Sequence, residues 1–279
     1  MCGRFVVLTR DEVSRAVAAV EARHARLGKL VAGGSARVQA NYPGHETFAN
    51  RDRATSVEQA LADATQLPSI ERALADGRAQ AFPGSVIPAF SQAGVLEANG
   101  AALMGASPAG SLEIADCIWG FSVDWQKQSV FNTRLESALS GSGMWAGPME
   151  RGRCVVPVLA FYEPHATETV VSARSGKSVK RPYVFWQPST VGQGVEPLMI
   201  AAVCSDGRCS LVTTEPNAHV APVHKRMPLI LRFEEVPVWL EGDSRDVAEL
   251  ADRSAVGLSV CPEDELLPRE EPAQLQLDL

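Results

Sequence analysis

Apolar positions over residues 2–8 describe a short strand, and Thr9-Arg10-Asp11-Glu12 follows as a capping box, with a hydroxyl at the N-cap and a carboxylate three residues on. The box predicts a helix running to about Leu30. Between about 50 and 80 the chain is Ala-rich and polar. There Val57, Ala60, Leu61, Ala64, Ile70 and Leu74 recur at helical spacing, which predicts a helical insertion at the surface. From Ser85 the period changes: runs rich in Val, Ile, Phe and Trp at 86–90, 114–121, 154–161, 183–186, 198–204, 211–214 and 229–233 alternate with Gly, Pro and Ser clusters. That is the pattern of a sheet-rich core. A last helix is expected over 247–258, and 263–279 reads as an acidic, proline-containing flexible tail outside a domain of residues 1–262. No internal repeat occurs.

The 279 residues, 46% hydrophobic and 21% charged, are ordinary globular composition, enough for one large domain or two small ones. No apolar run is long enough to span a membrane, and Met1-Cys2-Gly3-Arg4-Phe5 lacks the basic-then-apolar profile of a secretory signal, so a cytoplasmic protein without a membrane partner is expected. The six cysteines lack paired CxxC spacing, which favours free thiols; no metal and no cofactor is called for. Cys204 and Cys209 flank Ser-Asp-Gly-Arg, whose Asp-Gly turn would set them opposite each other across a hairpin. A net charge of −7 argues against non-specific coating of nucleic acid, so any DNA contact must come from a local basic strip.

Position two carries the most pointed chemistry. Methionine aminopeptidases remove an initiator that precedes a small residue, which would leave Cys2 with a free amine beside its thiol. Such an aminothiol condenses with an aldehyde to an imine and then closes the thiol onto the same carbon, giving a thiazolidine. An α-amine titrates at about 7.7 to 8.0, so a useful fraction is neutral and nucleophilic. Asn132 and Arg134 stand two residues apart just after an apolar run. Phe161-Tyr162-Glu163-Pro164 puts a carboxylate at a strand end among aromatic and proline residues, where desolvation raises its pKa toward acid/base use. His224-Lys225-Arg226 adds an imidazole and an arginine. Singly, Asn132, Glu163 and His224 read as satisfied structural polar groups; their order and company reverse that. Glu136 reads equally as catalytic or as an arginine's partner, and His24, His45, His165 and His219 as surface or structural residues.

Met-Cys-Gly-Arg-Phe, then Trp119-Gly120, Asn132-x-Arg134-x-Glu136, Phe161-Tyr162-Glu163 and His224-x-Arg226-Met227-Pro228, in this order, resemble the SRAP proteins (SOS response-associated peptidases). Asn41-Tyr42-Pro43 and the segment from Thr213 to Asn217 support the match, which covers the first eight residues and much of 41–232. The resemblance implies an α+β fold: a single domain with a mixed, barrel-like sheet, peripheral helices and a positively charged DNA cleft. It implies covalent capture of abasic sites in single-stranded DNA, a DNA–protein crosslink that shields the lesion, together with a self-processing thiol peptidase activity. Cys2 would be the nucleophile, Asn132 would bind near the reacting sugar, Glu163 would assist ring opening and proton transfer, and His224 would be an acid/base. Arg4, Arg134 and Arg226 would meet phosphates, and Trp119 would offer an apolar face to a base or sugar. Two positions depart from the family's pattern, Ala160 for glycine and Pro164 for tryptophan, which bears on the wall behind Glu163. The residues also allow an N-terminal-nucleophile amidohydrolase or a non-covalent reader of damaged DNA. Gln274-Leu275-Gln276-Leu277-Asp278-Leu279 resembles peptides that dock on bacterial sliding clamps, a second expected partner.

Overall fold

Thr9 and Glu12 close a reciprocal cap: the Thr9 amide donates to Glu12 Oε2 at 2.7 Å and the Glu12 amide to Thr9 Oγ1 at 3.4 Å. Helix α1 (Arg10–Ala32) follows, with Val13, Ala16, Val17 and Val20 buried at helical spacing. The computed structural model describes residues 2–32, 67–103, 111–172, 175–190, 194–253 and 255–266. The expected helical positions 57–64, the Asn41-Tyr42-Pro43 segment and the peptide 274–279 lie outside the described residues. Of the expected insertion, the helix Ile70–Ala75 is described, capped by Ser69 and buried through Ile70 and Ala73.

The apolar runs become strands β1 (Phe5–Val7), β2 (Gln80–Ala81), β3 (Val86–Gln92), β4 (Ala102–Leu103), β5 (Leu112–Trp119), β6 (Asn132–Arg134), β7 (Arg153–Val171), β8 (Ser178–Pro188), β9 (Val195–Glu196), β10 (Leu198–Ser205), β11 (Arg208–Thr214), β12 (Met227–Pro228), β13 (Ile230–Leu231) and β14 (Ser259–Pro262). They form one mixed sheet in which β7, β10, β11, β5 and β3 pair in turn and β3 returns to β7, closing a ring. The parallel pairs are β11 with β5 and with β6. This is the α+β, barrel-like arrangement expected, with helices on its periphery.

Ring strands β7, over 154–163, and β10 are buried on both faces, which is why they read as continuous runs, whereas β5 alternates buried and half-buried positions. Along β7, Cys154, Val156 and Val158 enter one apolar cluster while Val155 enters a second. On β10, Leu198, Ile200, Ala202 and Cys204 join the first and Met199, Ala201 and Val203 the second. The first cluster also holds Cys2, Phe5, Cys117, Trp119 and Cys209, so the chain's N-terminal segment is anchored in the ring's core. Cys204 and Cys209 are direct partners across the β10–β11 hairpin, whose Asp206 and Gly207 both take positive φ, 52° and 69°. Their thiols are free, as expected.

Three expectations need correction. The last helix is not at 247–258 but at Ser244–Glu249, where Asp243 and Asp246 form a capping box; the chain then loops back to place β14 antiparallel to β8. Residues 229–233 split into the short β13 and a 3-10 turn Phe233–Glu235, followed by a helix, Val236–Glu241, that buries Val236, Trp239 and Leu240. The acidic tail begins structured: Glu263–Leu266 is a helical turn whose carboxylates meet arginines. No helix among the described residues is long and apolar enough to cross a membrane.

Candidate active site

The site is assembled by register. β1 runs antiparallel to β7 with Phe5 opposite Phe161, and the Tyr162 amide extends the pairing by donating to the Arg4 carbonyl at 3.0 Å. Cys2 is thereby brought to the end of the buried stretch of β7, which closes on Glu163; Pro164 is exposed. β8 covers the other side, with Tyr183 opposite Glu163 and Pro182 opposite Pro164, two residues that cannot donate to a ladder. Asn132 begins β6, held against Leu211 of β11. Its Nδ2 donates to the Cys2 carbonyl at 2.8 Å, and its buried Oδ1 has no hydrogen-bond partner among the described residues.

His224 comes from a turn organised by Asn217, whose Oδ1 accepts from the His219 and Val220 amides at 3.1 and 3.2 Å while Nδ2 donates to the Arg253 and Val256 carbonyls. The His224 amide donates to the Val220 carbonyl at 2.9 Å. The imidazole Nδ1 lies 3.7 Å from Glu163 Oε2 and 3.0 Å from the Arg226 carbonyl. Four residues from distant stretches thus surround one point.

Burial sets their protonation. Glu163 is fully buried, and desolvation pushes its carboxyl up to about 7. Cys2 is also fully buried; desolvation, and next the neighbouring Glu163 charge, raise its thiol well above the ordinary range, so sulfur is held protonated. Desolvation lowers the His224 pKa and favours the neutral imidazole. The arrangement therefore offers a protonated thiol, a carboxyl poised between its two forms and a neutral imidazole.

The residues expected at DNA fare differently. Arg134 is exposed at the end of β6. Arg226 is only 7% exposed and its two Nη groups are engaged: Nη1 with Glu136 Oε1 at 2.6 Å and Glu215 Oε1 at 2.9 Å, Nη2 with Glu136 Oε2 at 2.9 Å and the Thr213 carbonyl at 2.7 Å. It clamps the His224 turn to β11 and to the helix Leu135–Leu139, and Glu136 is its partner. Trp119 presents no free face. It is fully buried, 4.6 Å from the Phe5 ring and 5.9 Å from the Phe131 ring, and its Nε1 donates to the Phe131 carbonyl at 2.9 Å. It supports Cys2 through Phe5 and Asn132 through Phe131. Arg4 packs over the Tyr162 ring, 3.9 Å from its centroid, with Nε donating to Gln80 Oε1 at 2.8 Å and both Nη groups on Glu263.

Tyr162 and Glu263 carried no expectation from the sequence beyond their motif and tail. Of the two departures from the family pattern, Ala160 enters, with Tyr162, a different apolar cluster from Phe161, and Pro164 is exposed.

A family profile described as SOS response associated peptidase (SRAP) matches residues 1–262. Two Bacillus subtilis (strain 168) proteins named abasic site processing proteins, YoaM and YoqW, are each 26% identical to this chain, over 132 and 138 residues. These stretches are 44% and 46% of this chain and 54% and 57% of the relatives, so the chain spans about half the length of the curated relatives it matches. A crystal structure of a Bordetella bronchiseptica protein, 17% identical, superposes with a TM-score of 0.50 over 94% of this chain and 99% of that one, a likeness of fold alone. With a family match that takes in the whole ring and every residue gathered around Cys2, this chain belongs to the SRAP family.

Proposed function

We propose that this chain processes abasic sites in single-stranded DNA by covalent capture at Cys2 once Met1 has been removed, and that the resulting thiazolidine shields the lesion. The observation that carries this reading is the convergence of Asn132 (2.8 Å from the Cys2 carbonyl), Glu163 and His224 (3.7 Å apart) on the first residue of the processed chain.

The open-chain form of an abasic sugar carries an aldehyde. With sulfur held protonated, the neutral α-amine attacks first, and the carbinolamine loses water as Glu163, in its acid form, protonates the departing oxygen. The imine then accepts sulfur: a new S–C bond forms, the thiol proton passes to the Glu163 carboxylate or to His224, and the ring nitrogen is protonated in turn. One water leaves overall. A carboxyl near 7 serves both steps because both its forms are populated at neutral pH. The open Oδ1 of Asn132 suits a sugar hydroxyl, and Arg134 suits a flanking phosphate. Self-processing belongs to the same reading: the Cys2 thiol adds to the preceding carbonyl, the peptide nitrogen leaves as the free amine, and water hydrolyses the thioester.

Incubation of the processed chain with a single-stranded oligonucleotide bearing one abasic site tests it. A species stable on a denaturing gel is expected from wild type and none from Cys2→Ala. Cys2→Ser keeps the amine and should give only an imine that requires borohydride trapping. Equal crosslinking by Cys2→Ala removes the proposal.

A further inference from the structure

Two guanidinium groups at the rim of the site are occupied by consecutive acidic residues. Arg4 Nη1 donates to Glu263 Oε2 at 2.9 Å and Nη2 to Glu263 Oε1, a fork on a carboxylate. Arg181 repeats the geometry on the next residue, with Nε on Asp264 Oδ1 at 2.9 Å and Nη2 on Asp264 Oδ2 at 3.0 Å, and Nη2 also meets Glu265 Oε1. The fork that fits a carboxylate fits a phosphate equally.

Arg181 is well placed for a polyanion. Tyr183, the register partner of Glu163, lies two residues along β8, about 7 Å of strand, and residues two apart share a face. A second set of contacts keeps Arg181 ordered without the turn: Glu168 Oε2 lies 3.3 Å from Nη1, the Tyr183 hydroxyl donates to the same oxygen at 2.7 Å, and the guanidinium sits 5.8 Å from the Tyr183 ring centroid. Arg4 is fixed by Gln80 and Tyr162. The turn Glu263–Leu266 is delivered to both by β14, paired to β8, and its carboxylates are the more exposed partners, at 30% for Glu263, 35% for Asp264 and 59% for Glu265. Ion pairs this wet are individually weak and readily exchanged.

We infer that Arg4 and Arg181 form a backbone-phosphate-binding pair beside the Cys2 site, and that the acidic turn Glu263–Leu266 is its internal competitor, a built-in phosphate mimic that single-stranded DNA must displace. This rests on the proposed function for the identity of the polyanion. It assigns a DNA contact to Arg181 and a gating role to the turn, so that the chain, with its charge of −7, holds single strands weakly until something anchors them.

The test is the Kd for a fluorescent oligo-dT of about twelve nucleotides at about 50 mM salt, where phosphate contacts weigh most. Glu263→Gln, Asp264→Asn and Glu265→Gln together should tighten binding about tenfold. Adding Arg181→Gln to that variant should remove most of the gain, while Arg181→Gln in the unaltered chain should change little. Equal affinities for the wild type and the neutralised turn, or no binding by either, overturn the inference. So does a roughly tenfold loss on Arg181→Gln in the unaltered chain, a result read without the triple variant. Undamaged oligo-dT has no aldehyde, so covalent capture is judged separately: a tighter dT complex with no adduct on abasic DNA ends the capture reading and leaves the competitor, and an adduct with unchanged dT affinities does the reverse.

Discussion

Glu163 is the residue on which stability and chemistry pull in opposite directions. Its carboxyl, ordinarily at 4.5, is pushed to about 7 by burial, so between these values the unfolded chain gives up a proton that the folded chain keeps. Its contribution to stability is therefore present below about pH 4.5 and is lost as pH rises to about 7, a change on the order of 3 kcal/mol. Glu163→Gln should raise Tm at pH 8 and change it little near pH 5, while slowing adduct formation at least about tenfold. A Tm difference independent of pH would contradict the buried, neutral-leaning carboxyl. Arg226 makes the opposite case, a motif arginine that the fold has taken for itself. Arg226→Met should destabilise the chain by about 1 to 3 kcal/mol, since it removes charge-assisted hydrogen bonds and strips a donor from the Thr213 carbonyl. The salt dependence of DNA binding should not change. A shallower salt slope with unaltered Tm would restore the phosphate role.

At the scale of elements, what could be read in the sequence was what local chemistry dictates. The Thr9–Glu12 cap, the Asp206-Gly207 turn with Cys204 facing Cys209, and the apolar runs of β3, β5, β10 and β11 each announce themselves within a few residues. Motif order, carried by the resemblance, groups Cys2, Asn132, Glu163 and His224; the β1–β7 and β6–β11 registers position the first three, and the turn after Asn217 brings His224 to Glu163. Long-range decisions were not legible. The resemblance implies that Trp119 offers a face to a base or sugar; the closed ring, with Phe5 and Phe131 on Trp119, puts it in the core. The acidic start of the tail reads as disordered until Arg4 and Arg181, far away in sequence, supply its partners. Gly120 shows how tightly the Trp-Gly motif is built: its φ is +113°, and a Cβ there would stand 2.6 Å from Ser129 Oγ. Gly120→Ala should lose about 1 to 3 kcal/mol in denaturant titration, and an unchanged midpoint would mean that this turn relaxes freely.

For the whole molecule, a closed ring of strands, with β7 and β10 buried on both faces, supplies a wall, and the candidate site lies where the N-terminal segment meets it. Cys2 lies in the ring's own core cluster, so the fold fixes its position, and burial keeps its thiol protonated and pushes its neighbour Glu163 up to about 7. The proposed capture depends on one free terminus. The most direct measurement is the intact mass of the adduct formed between the processed chain and an abasic oligonucleotide, with the modified peptide sequenced. A mass equal to chain without Met1 plus oligonucleotide less one water, unaltered by borohydride and mapped to Cys2, is the predicted result; an adduct on a lysine, or a chain that retains Met1 and still crosslinks, would contradict it.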